Sequence, residues 1–296
     1  MTTPPAAAQP PHPPVEEGAS VDLLADFVRR YPRLLVLTGA GCSTESGIPD
    51  WRDDAGQWKR SEPSRYQDFM ASHATRQRYW ARSLLGWPLM AQARPGPAHH
   101  ALARLEAAGH VQLLVTQNVD GLHQAAGSRA VVDLHGRIDT VCCTACGQRN
   151  PRAQWQAELA ARNPEWAGLA AEVGPDGDAH LDGRDFASVD VPACPHCGGL
   201  LKPDVVFFGE SVPRERVLAA RAALAQSDAL LVAGSSLMVY SGFRFVQEAV
   251  AAGQPVVLVN RGTTRADALA TRKFGASAGE LLTRLADALV GPVTPA

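Results

Sequence analysis

The stretch RLLVLTGAGCSTESGIPDWR, residues 33–52, decides how the 296-residue chain is read. Arg33 to Thr38 is an almost uninterrupted apolar run of strand length, and Gly39-Ala40-Gly41 follows it directly. A short strand that is apolar on both faces belongs in a sheet covered on both sides. Glycines after such a strand let the backbone approach a pyrophosphate, with the amides of a following helix N-terminus facing the anion. The same residues also suit a plain tight turn, because Thr44 stands where a third glycine would complete the G-x-G-x-x-G pattern. Further strand candidates lie at 111–116, 205–208, 229–233 and 256–260, and helical spacing occurs at 21–30, 214–226 and 243–252. This alternation predicts an α/β fold with a Rossmann-like, doubly wound parallel sheet.

The 28 Lys and Arg against 30 Asp and Glu leave a net charge of −2, which gives no sequence-wide attraction to phosphate backbones or anionic membranes. No apolar run approaches the ~18 residues of a membrane span. Six prolines (Pro4, Pro5, Pro10, Pro11, Pro13, Pro14) and no Lys or Arg fall in residues 1–20, which predicts a disordered arm rather than a targeting peptide. The expected organisation is that arm, then a Rossmann-like domain over 21–139 and 203–296, and a smaller module over 140–202. A helical insertion at about 53–98, rich in Arg and aromatics, is expected over the carboxyl edge of the sheet.

Four of the six cysteines form two C-x-x-C pairs, Cys143 with Cys146 and Cys194 with Cys197. Each pair turns two thiolates toward one point, and four sulfurs satisfy tetrahedral zinc with no position open to water, so the metal reads as structural. One Zn2+ per chain in a zinc ribbon is expected, carrying a helical insert at 154–162, in a reduced cytoplasmic protein. Cys142 breaks the x-x spacing and reads as a packed thiol. Asp176, Asp178 and Asp182 lack the glycine and closing Glu of a calcium loop and read as a solvated turn.

Other candidates sit at predicted strand ends, where open α/β sheets bind ligands. Thr116-Gln117-Asn118-Val119-Asp120 offers amides and a carboxylate for ribose hydroxyls and a carboxamide, with a helix cap as the plain alternative. His135 in Asp133-Leu134-His135-Gly136 offers an imidazole that can take a proton from a sugar hydroxyl. Gly234-Ser235-Ser236 and Asn260-Arg261-Gly262 suit phosphate and adenosine contacts or ordinary turns.

Taken together, GAGCSTESGIPDWR (39–52), TQNVDGLH (116–123), DLHG (133–136), the paired C-x-x-C, KPDVVFFGE (202–210), GSSLMVY (234–240) and Asn260-Arg261-Gly262 resemble the sirtuin family, in the family's order. RQRYWARSLLGW (76–87) and the long ribbon insert are similar to class II, the group of the animal lipoamidase-type mitochondrial sirtuin. Trp51 stands where the family has Phe, and Asp133 where it has Glu or Gln. The resemblance implies an NAD-dependent protein-lysine deacetylase or deacylase that uses NAD as co-substrate. In that chemistry the acyl oxygen attacks the nicotinamide ribose carbon, nicotinamide leaves, and His135 activates a ribose hydroxyl that captures the acyl group.

NAD contacts are implied for Gly39, Ala40, Gly41, Ser43, Ser46, Ile48, Pro49, Asp50, Trp51 and Arg52, and for Gln117, Asn118, Val119 and Asp120. Gly234, Ser235, Ser236, Asn260, Arg261, Gly262 and Ala278 would serve the adenosine half, and Val205, Phe207, Gly209 and Glu210 would grip the acyl-lysine substrate as an added strand. Protein ADP-ribosyl transfer, lipoamidase action and removal of acidic acyl groups are alternatives on the same scaffold. The last of these needs an inward Arg65, Arg76, Arg78 or Arg82, against a solvated helix face as the plain reading. A dehydrogenase would not need His135 beside a ribose, and a nucleic-acid-binding ribbon would need clustered Lys and Arg that 140–202 lacks.

Overall fold

The computed structural model describes residues 15, 16, 21–50, 53, 55, 57, 59, 64–169, 178, 179, 181 and 183–292. Trp51, Arg52, Asp176, Asp182 and most of the arm lie outside the described residues. Among the described residues ten strands are formed: β1 (Val15–Glu16), β2 (Leu34–Thr38), β3 (Val111–Thr116), β4 (Val131–Asp133), β5 (Gly136–Cys143), β6 (Arg149–Pro151), β7 (Leu201–Val205), β8 (Ala229–Ala233), β9 (Val256–Val259) and β10 (Arg272–Phe274). The main sheet runs β1-β10-β9-β8-β2-β3-β4, and every pairing in it is parallel. Its six strands from β10 to β4 follow the 3-2-1-4-5-6 order of doubly wound folds read from the far end, so the order reverses between β2 and β8. β1 adds to the β10 edge, so two residues of the arm expected to be disordered are a strand.

Ten α-helices accompany them among the described residues: α1 (Val21–Arg30), α2 (Tyr66–Ala71), α3 (His73–Gln92), α4 (Pro97–Ala107), α5 (Leu122–Ala125), α6 (Arg152–Arg162), α7 (Pro164–Ala167), α8 (Arg214–Gln226), α9 (Tyr240–Ala251) and α10 (Ala278–Val290). The side chains of β2 explain the layering, since successive residues of a strand point to opposite faces. Leu34 and Val36 pack with Leu24 and Val28 of α1, Leu102 and Leu105 of α4, and Leu281 and Leu285 of α10. Leu35 and Leu37 pack with Ala220 and Leu224 of α8 and Phe245 and Val246 of α9. Both faces of the strand are therefore buried, as its unbroken apolar run requires.

β6, β5 and β7 form a separate antiparallel sheet. Its core joins Val141, Trp155, Leu159 and Leu201 to Phe69, Tyr79, Trp80 and Leu84 of α2 and α3, so the helical insertion and the cysteine-bearing segment share one apolar cluster. Four sequence expectations need correction here. The strand expected at 205–208 ends at Val205 and lies in the small sheet, because Val205 pairs with Gly136 of β5 and Phe208 keeps only an isolated bridge to Arg65. The glycine loop enters two single 3-10 turns, Ala40–Cys42 and Thr44–Ser46, rather than an α-helix. Asp178 is buried rather than solvated, and its charge acts on the fully buried Arg152. Arg76 donates to the carbonyls of Phe69 and Met70, and Arg82 to that of Ala179, so neither is a solvated cation.

The glycines of the first loop answer to packing at the reversal point. A Cβ on Gly41 would lie 2.9 Å from the Cα of Gly234, and one on Gly234 would lie 2.5 Å from the amide nitrogen of Cys42. Gly234 also has φ +60, a conformation that costs an L-residue about 1–2 kcal/mol. Gly253 has φ +72 with nothing near its missing Cβ. Gly253→Ala should therefore cost about 1 kcal/mol and Gly234→Ala at least about twice that, by urea unfolding. Equal costs would show that the two loops do not press on each other.

Candidate active site

The carboxyl ends of β2, β3, β8 and β9 open into one cavity of about 1260 Å³. This exceeds the roughly 300–1,000 Å³ of a pocket for one drug-sized ligand, so a dinucleotide and part of a second molecule have room. Its lining includes Gly39, Ala40, Gly41, Ser43, Ile48, Pro49 and Asp50 from the first loop, with Gln117, Asn118, Val119 and Asp120 beyond β3. His135 follows β4, while Val205, Phe207, Gly209 and Glu210 come from the end of β7 and the turn after it. Gly234, Ser235, Ser236, Asn260, Arg261, Gly262 and Ala278 complete the expected set. Ser46 is the exception among the described candidates. It is absent from the lining, and its Oγ lies 3.0 Å from where a Cβ on Gly96 would stand, so it faces the start of α4. Arg65, Arg76, Arg78 and Arg82 are also absent from the lining, so the alternative of a clamp for an acidic acyl chain draws no support from them.

Polar side chains near the base are wired together. Gln117 Nε2 donates to Ser235 Oγ at 2.7 Å and to the Thr38 carbonyl at 3.3 Å, which ties β3 to the loop after β8. The Gln117 carbonyl accepts from His135 Nδ1 at 2.9 Å. A carbonyl can only accept, so the Nδ1 atom carries the proton and Nε2 presents its lone pair. Burial pushes the His135 pKa down to about 4; the bond to Gln117 opposes this, and the charges of Arg216 and Arg244 reinforce it. At neutral pH the ring is an uncharged base. Asp133, just before it, has its pKa raised by burial against the opposing bond from Gln124.

Asp120 is held by two donors, Ser43 Oγ at 2.7 Å and the Leu122 amide at 2.9 Å, so it satisfies the first amide of α5 from the position before the cap residue Gly121 and also lines the cavity. Asn118 spends its side-chain donors on the Gly39 carbonyl and Ser43 Oγ. Behind them, His99 accepts the Gly96 amide at Nδ1, which puts its proton on Nε2, 3.4 Å from Ser43 Oγ. His99 Nε2, Ser43 and Asp120 thus form one donor chain. The turn 205–210 is pinned by Lys202, a 5% exposed ammonium that donates to Glu210 Oε2 at 3.1 Å, while Glu210 Oε2 accepts the Phe207 amide at 2.8 Å. Leu237, at φ 57, is the one non-glycine with positive φ among the described residues, which places backbone strain in the loop after β8. Cys42 beside the glycine loop is no nucleophile, since burial pushes its thiol up to about 12.

The sulfurs of Cys143, Cys146, Cys194 and Cys197 all lie within 4.8 Å of one another. Cys143 and Cys197 are 3.5 Å apart and Cys146 and Cys194 are 3.9 Å apart, close to the ~3.8 Å edge of a tetrahedron with Zn–S near 2.3 Å. Cys142 stands outside this group, half-buried. The sequence did not reveal Ser241, whose Oγ lies 2.7 Å from His135 Nε2 across 106 residues. Its only sequence signal is that it directly follows GSSLMVY. No helix among the described residues is long and apolar enough to cross a membrane.

A model of the Sir2 family matches residues 39–241. The NAD-dependent protein deacetylase of Xanthomonas campestris pv. campestris (strain 8004) is 61% identical over 259 residues, covering 88% of each chain. That of Bordetella bronchiseptica is 58% identical over 264 residues, covering 89% of this chain and 96% of its own. A solved complex of Sir2 with a p53 peptide and NAD+ superposes with a TM-score of 0.72 at 30% identity, covering 91% of this chain and 98% of its own.

The buried histidines make stability depend on pH. His123, beside Thr38 Oγ1, is pushed down to about 3 by burial and by His99, and His135 to about 4. In the unfolded chain both bind a proton near pH 6.5, whereas the folded chain does not until pH 3–4. Falling pH therefore loads the unfolded state first, so stability is full above about pH 6.5 and is lost below it. Urea unfolding should show a loss of about 1–2 kcal/mol per histidine from pH 7 to pH 5, reduced by one such increment in His123→Asn at matched pH. A flat profile over that range would contradict the buried neutral rings.

Proposed function

The chain belongs to the Sir2 family and is an NAD-dependent protein deacetylase, and we propose from this premise that His135 is its general base and the switch-point cavity its NAD and acyl-lysine site. The observation that carries the assignment is the fixed tautomer of His135, a cavity-lining residue whose Nδ1 is committed to the Gln117 carbonyl, which leaves Nε2 as the basic nitrogen. A neutral imidazole held this way accepts a proton from a substrate hydroxyl and returns it to solvent or to the leaving lysine. Bound NAD supplies the ribose carbon that takes the acyl oxygen, and nicotinamide as the leaving group.

The residues present suit that co-substrate. Gly39, Ala40 and Gly41 give a loop with no side chain larger than a methyl for the pyrophosphate. Asn118 and Gln117 face the ribose, and Asp120, fixed by Ser43, holds the nicotinamide amide. Gly234, Ser235, Asn260 and the start of α10 at Ala278 take the adenosine half. Val205, Phe207, Gly209 and Glu210, pinned through Lys202, border the acyl-lysine peptide. Acetyl, the group that the relatives' deacetylase names imply, needs no charged partner, and Arg65, Arg76, Arg78 and Arg82 do not line the cavity. RQRYWARSLLGW supports a class II assignment. The four thiolates fit one structural zinc and a reducing, cytoplasmic compartment.

His135→Ala should lower deacetylation of an acetyl-lysine peptide by at least about a hundredfold while leaving the urea midpoint at pH 8 within a few tenths of a molar of wild type. Activity within tenfold of wild type would remove His135 from the base role. Native mass spectrometry should find one zinc per chain, lost in Cys197→Ala together with protection of 140–202 from protease. Full metal content in that variant would refute the site.

A further inference from the structure

The base has a neighbour that the proposed chemistry has not used. His135 Nε2 has a single lone pair in the ring plane, and Ser241 Oγ occupies it at 2.7 Å. Because Nδ1 holds the ring proton against the Gln117 carbonyl, Nε2 can only accept, so the serine hydroxyl is the donor. Any hydroxyl arriving from the cavity meets a base whose one accepting position is taken. It must either displace Ser241 or act through it. Ser241 lines the same cavity at 8% exposure, and its oxygen keeps lone pairs free to accept from a second hydroxyl. Displacement would leave a buried donor unpaired, whether the serine hydroxyl rotates away or the first turn of α9 yields.

That turn is not free to yield. Gly242 carries no side chain because a Cβ there would lie 2.5 Å from Gln117 Oε1, so the backbone at 241–242 sits directly on Gln117. The same Gln117 holds the ring of His135 through its carbonyl. Hydroxyl and imidazole are thus mounted on one residue, at a spacing set by the packing of α9 against the end of β3.

Resting on the reading of His135 as base, we propose that Ser241 relays the proton: the substrate hydroxyl donates to Ser241 Oγ while Ser241 Oγ–H donates to His135 Nε2. In the step the substrate O–H bond breaks and a new Oγ–H bond forms. The old Oγ–H bond breaks and an Nε2–H bond forms. The products are a substrate alkoxide poised to capture the acyl carbon and an imidazolium, with the serine regenerated.

Three variants, Ser241→Ala, Ser241→Thr and His135→Ala, separate the possibilities. Ser241→Ala should lower the deacetylation kcat by about a hundredfold. Nicotinamide exchange, which precedes the need for a base, should stay within about twofold, and Ser241→Thr should restore most of the deacetylation rate. In the unliganded protein, 15N NMR of Ser241→Ala should keep the Nδ1–H tautomer of His135 but move the Nε2 resonance, which has lost its donor. Deacetylation by Ser241→Ala at the wild-type rate overturns the relay, as does an unmoved Nε2 resonance. A fall in exchange parallel to deacetylation, or a changed tautomer, also overturns it by showing a merely structural role. An active His135→Ala would instead sink the base assignment itself, so the two failures are distinguishable.

Discussion

Where the order of the parallel sheet reverses, Gly41 donates its amide to the Gly234 carbonyl at 2.8 Å and Gly39 donates to the Ala233 carbonyl at 3.2 Å. Two loops leaving adjacent strands normally diverge and open a crevice between helices on opposite faces. Here they touch at their bases, with Gly39 and Gly41 packed on Gly234 and Ser235, and the crevice opens above them. The polar groups at the base of the cavity are built around that contact. Gln117 spans it, bonding to the Thr38 carbonyl on one side and Ser235 on the other. His135 hangs from the carbonyl of Gln117, and Ser241 packs on its side chain through Gly242.

The second set of constraints is electrostatic. The cavity holds Asp50, Asp53, Asp120 and Glu210 with Lys59, Arg214, Arg221, Arg244 and Arg261, so it has no single sign to attract one charge class. What distinguishes the reactive region is burial. Removing His135 from water favours its neutral form, and the adjacent arginines push the same way. The ring is therefore available as a base across the physiological range. The small sheet contributes the other wall, and its helical cover through Phe69, Tyr79 and Trp80 holds the 205–210 turn against the cavity by way of Phe207.

Much of this was legible in the residues. The apolar run at 34–37 required burial on both faces, and the spacing of the two C-x-x-C pairs required four convergent sulfurs. The strand-end motifs identified the cavity lining because open sheets place ligands there. The failures have physical causes. KPDVVFFGE reads as a parallel strand by composition, yet Gly136, with φ +85 and its missing Cβ 2.0 Å from the Asp204 carbonyl, turns the chain into an antiparallel pairing that no periodicity encodes. The arginines of 76–82 suggested an anion pocket by charge alone, but carbonyls left open at Phe69, Met70 and Ala179 took two of them. Ser46 belonged to a motif whose backbone faces the cavity while this one side chain faces α4. Ser241 lay beyond reach because its partner is distant in sequence and close only after α9 packs on β3.

The central claim is that one cavity at the reversal of the sheet holds both the co-substrate and the base that acts on it. A crystal structure with NAD and an acetyl-lysine peptide tests it most directly. The account predicts a dinucleotide running from Asn260 and Ala278 across Gly39–Gly41 to Asp120, with a ribose hydroxyl within hydrogen-bond reach of the Ser241–His135 pair. A dinucleotide seated elsewhere, or one whose ribose hydroxyls point away from His135 and Ser241, would contradict it.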